Sequence, residues 1–232
     1  MKAVGFSISD LIETKRVPQG KVTFEEFLDW CDEDTWAEWV DGEIVLMSPS
    51  STRHQRISSF LEKVLGLYTE LRGLGEILRA PFAMRLPFVR RGREPDLLFV
   101  AYSHAARLRD TYLDGPADLV IEIVSEESID RDYEKKLVDY ERGGVPEYWL
   151  IDPLEKEAFF YQRDDTGQYI LVDLAPGGIY HSLAISDFWL KVNWLWQEPL
   201  PSPLRILAEI TGAPASVTEA FEQAIAGENL SG

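Results

Sequence analysis

Apolar residues recur at helical spacing in three parts of the chain. Ile57, Phe60, Leu61, Val64, Leu65, Tyr68 and Leu71 keep an i, i+3, i+4 rhythm, which predicts a long amphipathic helix. The turn-like "SPSSTRH" precedes it with N-cap residues, and Gly73 and Gly75 end it. Thr23 with Glu26 forms a capping-box pattern ahead of Phe24, Phe27, Leu28 and Cys31, so a short helix is expected over about 24–32. Tyr133, Leu137 and Tyr140 mark a third helix over about 131–142, stopped by Gly143-Gly144. Elsewhere the apolar positions fall in short runs. Ile44–Met47 reads as a strand leaving the Asp41-Gly42 turn, as one arm of a hairpin. Residues 77–88 read as extended and broken by prolines, and "RRGRE" as a turn. "DLLFVA", residues 118–124, "EYWLID", "AFFYQRD" and "QYILVD" are further strands, the last three forming a meander. A proline-rich boundary, "WLWQEPLPSP", precedes two short helices at 203–212 and 216–227. The crossover near 118–151 predicts an α/β or α+β fold, a mixed sheet flanked by helices. The expected organisation is one domain over 1–200 and a helical tail over 201–232.

One position breaks the pattern. "ADLVIEIVS" at 117–125 has the composition of a strand buried on both faces, yet Glu122 sits inside it. An ionised carboxylate there needs a counter-charge or a metal ion. Asp96 stands at the mouth of "DLLFVA", so pairing of the two strands brings two carboxylates close. A divalent cation that favours oxygen donors, Mg²⁺ or Mn²⁺, relieves their repulsion. The next helix supplies a cation. On α-helical spacing Lys136 lies about 60° from the centre of the Tyr133–Leu137–Tyr140 stripe, and Lys135 about 160° away. Lys136 therefore reaches the sheet and Lys135 faces solvent. A lysine beside two carboxylates can stabilise a developing hydroxide or oxyanion. A structural salt bridge explains Glu122 alone equally well.

Charge alters the picture of partners. The net charge of −17 opposes indiscriminate binding to nucleic acid. Its distribution is uneven, however: residues 53–93 hold nine basic against three acidic residues, so this segment is +6 and the rest −23. Arg53, Arg56 and Arg85 within it are candidate contacts to a polyanion. The single cysteine, Cys31, excludes an intramolecular disulfide and a cysteine-based zinc site. With no signal-peptide pattern and no apolar run long enough to span a membrane, a soluble cytoplasmic protein is expected.

"EPDLLFV", "DLVIEIVSEES" and "RDYEKKLVDYERGGVPEYWLID", with "AEWVDGEIVLMSPSSTRHQRISSFL" upstream, resemble the Uma-type restriction-endonuclease family of the PD-(D/E)XK nuclease superfamily. The resemblance covers about residues 20–198. It implies a restriction-endonuclease-like fold and an Mg²⁺- or Mn²⁺-dependent endonuclease acting on DNA, and it is compatible with a homodimer. Asp96 and Glu122 match the two metal-binding acids, with the Ile123 backbone carbonyl as a further ligand. Where the simple superfamily pattern has lysine two residues after the second acid, this chain has Val124, and Lys136 matches the family's displaced lysine. Glu38 matches a further acid of the metal shell, and His54 a recurring histidine at the start of the long helix. Two rival readings stand beside it. One is a nuclease-fold binding or regulatory protein without turnover, motivated by the negative charge. The other is a glycoside hydrolase, suggested by paired acids and seven tryptophans.

Overall fold

Thr23 opens the first helix, α1 (Phe24–Trp30), through a complete capping box with Glu26. The computed structural model describes residues 17–18, 20–32, 35–48, 50–126 and 131–226. Strands β1 (Ala37–Val40) and β2 (Glu43–Leu46) form the expected hairpin about Asp41-Gly42. The long helix α2 runs Thr52–Arg72, capped by the Ser51 side chain at its start and by left-handed Gly73 at its end. Then follow β3 (Gly75–Arg79), β4 (Ala83–Leu86), β5 (Arg91–Arg93), β6 (Leu97–Ala101), β7 (Tyr112–Asp114) and β8 (Leu119–Ile123). A π-helical turn, Arg131–Lys136, leads into α3 (Leu137–Gly143). The meander β9 (Glu147–Asp152), β10 (Glu157–Arg163) and β11 (Tyr169–Leu171) is as expected. A hairpin of β12 (Ile179–His181) and β13 (Trp189–Lys191) precedes helices α4 (Pro203–Thr211) and α5 (Ala215–Ala226).

The central sheet has six strands in the order β11-β10-β9-β8-β6-β3. The β8–β9 pair is parallel, joined by the α3 crossover, and the other pairs are antiparallel. A second sheet, β2-β1-β5-β4-β7, packs beside it. The fold is therefore a mixed α/β assembly of three sheets with flanking helices. Side chains alternate across the central sheet. Leu119, Ile121 and Ile123 join α2 and the β12–β13 hairpin in one core, which also takes in Trp194, Ile206 and Leu207. Val120 and Val124 join Leu98, Met84, Leu86 and Tyr140 in the core on the opposite face. Glu122 shares their parity and so faces α3.

One expectation is corrected. "RRGRE" is not a turn: Arg91–Arg93 is a central strand of the second sheet. Gly92 permits this, because a Cβ there would meet the Phe24 ring at 2.5 Å. The β12–β13 hairpin was not foreseen, since three-residue strands carry too little alternation to detect. The segment 192–196 is a 3₁₀ turn with Trp194 and Leu195 in the core. Among the described residues no helix is long and apolar enough to cross a membrane.

Candidate active site

Both faces of β8 are buried, and Glu122 is 2% exposed. Its Oε1 accepts hydrogen bonds from Lys136 Nζ at 2.8 Å and from the Tyr140 hydroxyl at 2.5 Å. Lys136 is itself buried, and its Nζ also lies 3.4 Å from Glu38 Oε1. Lys135 is exposed, as the helical spacing predicts. Lys136 goes deeper than its expected boundary position. The wider i→i+5 winding of the π turn rotates it relative to α-helical spacing. One ammonium thus bridges two buried carboxylates from different sheets.

Glu38 lies on β1 and is fully buried. Its other oxygen accepts from Arg93 Nη1 at 2.6 Å. Arg93 also donates to Asp139 on α3, and Arg91 Nε reaches the same carboxylate at 2.8 Å. Arg93 is held charged despite its burial, because Glu38, Tyr140 and Asp139 outweigh the desolvation that favours its neutral form. The Tyr140 hydroxyl is pushed well above its ordinary range, first by burial and then by Glu122, so it remains a donor. Glu94 is pushed up to about 8 by burial and by the neighbouring Glu38. Arg93, Asp139 and Glu94 are members of this network that the sequence reading missed. Arg93 and Glu94 sit in the stretch read as a turn. Asp139 follows Lys136 by one helical step, the only signal that could have found it.

Asp96 takes the mouth of β6, as expected. Its Oδ2 accepts the Ile123 amide at 2.7 Å and lies 3.1 Å from His54 Nε2. The amide contact places the Asp96 carboxylate against the backbone of the residue that follows Glu122. The strand register agrees, with Leu97 opposite Ile121. His54 is buried in the first turn of α2, its amide capped by Ser51 Oγ. The two acids foreseen on adjoining strands therefore occupy neighbouring positions at one end of the central sheet. The basic residues are more scattered. Arg53 donates to the carbonyls of Leu195 and Gln197, at 2.5 and 3.3 Å. Arg56 is exposed on α2. Arg85 lies on β4, engages Glu25 and Asp114, and stacks over Phe24.

Among the described residues no three His, Cys, Asp or Glu side chains are grouped to hold a metal ion. Asp96, Glu122 and the adjoining carbonyl still suit one class of cation. Mg²⁺ prefers hard oxygen donors and keeps several waters, so it is commonly held by one or two carboxylates.

A mixed sheet with Asp and Glu on adjoining strands, a buried lysine between acids and helices on its faces has the architecture of a restriction-endonuclease-like nuclease fold. The crystal structure of "a putative nuclease belonging to DUF820 from Anabaena variabilis" is similar to this chain, with a TM-score of 0.62. The two are 20% identical over 75% of this chain and 97% of that one, a likeness of fold. The model of the Uma2 family, described as "Putative restriction endonuclease", matches residues 24–193. The chain belongs to that family. No curated protein matches it.

Proposed function

We propose that the protein is a divalent-metal-dependent endonuclease that hydrolyses phosphodiester bonds in DNA, with Asp96, Glu122 and Lys136 as its catalytic residues. The observation that carries this reading is the buried Lys136 ammonium, set between Glu122 and Glu38 at the end of the sheet where Asp96 also lies. Family membership and the shared fold support it. Asp96, Glu122 and the Ile123 carbonyl would hold Mg²⁺ or Mn²⁺, with Glu38 as a further acid of the shell. The cation supplies Lewis-acid polarisation of the scissile phosphate and a lowered pKa of water. Lys136 orients the attacking water and offsets the charge that develops on the phosphoryl oxygens. His54 and the Ile123 amide fix the rotamer of Asp96, while Tyr140 fixes Glu122. Arg53, Arg56 and Arg85 are proposed to meet the DNA backbone, without reading sequence. A homodimer suits cleavage of both strands.

Incubation of supercoiled plasmid with the protein and Mg²⁺ or Mn²⁺ tests the proposal. Nicked or linear product that disappears with EDTA is expected, and intact plasmid over a broad range of cations and pH contradicts it. One observation favours a second reading, a nuclease-fold protein that binds without cutting. The central acids already pair with Lys136, Arg93 and Tyr140 of the chain itself. DNA and Mg²⁺ binding with no cleavage would support that alternative.

A further inference from the structure

A cleft of about 840 Å³ runs between helix α2 and the proline segment 199–203. Arg53, Arg56, Phe60 and Lys63 occupy one stripe of α2 at i, i+3, i+7 and i+10. Phe60 is buried and the three basic residues border the cleft. Arg79, at the end of edge strand β3, adds a fourth cation, and Glu62 and Glu198 are the two acids. A chain of net charge −17 thus keeps a cleft of net charge +2.

The cleft adjoins the candidate site by register. Arg79 pairs with Leu97, and the next amide, Ala80, donates to the Asp96 carbonyl at 3.3 Å. On the opposite wall Arg53 precedes His54, whose ring contacts the Asp96 carboxylate. Both walls therefore lead to Asp96. Among the described residues no exposed aromatic ring lines the cleft, so its lining offers no base-stacking platform. Its cations suit phosphates instead. Arg79 lies 3.4 Å from Glu62, a solvent-facing pair that an incoming phosphate can displace, and Arg53 lies 3.6 Å from the exposed Glu198.

We infer that this cleft holds a single nucleic-acid strand by its phosphates, with Lys63 and Arg79 as its principal contacts, and leads that strand to or from Asp96. The inference rests on the phosphodiesterase reading for the choice of polyanion. Recognition through phosphates alone makes it indifferent to base sequence and strongly dependent on salt.

The test is equilibrium binding of a fluorescein-labelled single-stranded DNA oligonucleotide to the full chain in EDTA, where no cutting occurs, at several salt concentrations. Lys63 and Arg79 are exposed, so the charge-reversing pair Lys63→Glu and Arg79→Glu leaves the core untouched. The double variant should bind at least about tenfold more weakly, with a slope of log K against log salt shallower by about 1.4. Arg142→Glu, exposed and outside the cleft, should bind as wild type. Equal affinity and slope for wild type and double variant overturn the inference, as does failure of the wild type to bind the strand. The two readings fail separately. Cleft-dependent binding without cleavage in Mg²⁺ sinks the phosphodiesterase, and cleavage with cleft-independent binding sinks the cleft.

Discussion

Two buried carboxylate centres lie within one fold, and they are built differently. Glu147 on β9 is fully buried and receives five hydrogen bonds. The donors are Trp149 Nε1, the Tyr180 hydroxyl, Ser182 Oγ and the amides of Leu183 and Ala184, at 2.6 to 3.0 Å. Every one is neutral, and burial still raises the carboxyl above its usual range. This centre stitches the β12 hairpin to the central sheet. Glu122 and Glu38 are instead met by Lys136 and Arg93, charged groups on long side chains. Neutral donors in rigid geometry make a structural fastening. Acids shared by a lysine form the site proposed above, whose charge would be redistributed by an arriving cation or phosphate.

The largest effect is expected where the fastening is cut. Glu147→Ala leaves five donors without an acceptor and should cost about 5 kcal/mol in stability, read by urea denaturation. A loss below about 2 kcal/mol would show that water replaces the carboxylate easily and would erode the contrast. Lys136→Met leaves Glu38 and Glu122 facing each other without their shared ammonium. It should cost about 3 kcal/mol, recovered in part at acid pH as a carboxylate takes up a proton. A loss that is the same at pH 5 and pH 8 would contradict the coupling.

Glu94 sharpens the comparison through pH. Its carboxyl titrates near 8 in the folded protein, against an ordinary value of 4.5. Between these values the folded state binds the proton and the unfolded state does not, so stability falls as pH rises from about 4.5 through 8. Glu94→Gln should remove that decline and gain about 1–2 kcal/mol at pH 9 relative to pH 5, less than the full shift implies because Glu94 is partly exposed. A wild-type to Gln difference that does not change with pH would refute this. Tyr140→Phe removes one hydrogen bond to Glu122 and should give the smallest effect, about 1 kcal/mol in thermal denaturation.

The sequence carried much of this in local patterns. The seven apolar positions of α2, the Thr23–Glu26 box and the choice of Lys136 over Lys135 all rest on spacing within a few residues. The strand run that isolates Glu122 is equally local. What escaped was set by distant partners. Arg91–Arg93 becomes a strand because Phe24 packs on Gly92 and because Glu38 and Asp139 receive Arg93. These residues lie 46 to 68 positions away, and nothing in "RRGRE" points to them. Nothing at the start of "EYWLID" marks Glu147, since its donors from Tyr180 to Ala184 belong to a hairpin too short to leave a periodic trace. The depth of Lys136 depends on a π turn, which α-helical spacing does not describe.

The contrast between the two centres is tested most directly by one plasmid-cleavage series in Mg²⁺, comparing wild type, Glu122→Gln and Glu147→Gln, each confirmed as folded. Both substitutions keep the side-chain shape and remove one buried charge. Glu122→Gln should reduce cleavage by at least about 10²-fold, and Glu147→Gln should cut within about twofold of wild type. Cleavage by Glu122→Gln at the wild-type rate, or equal losses in both variants, would contradict the assignment of Glu122 to the active site.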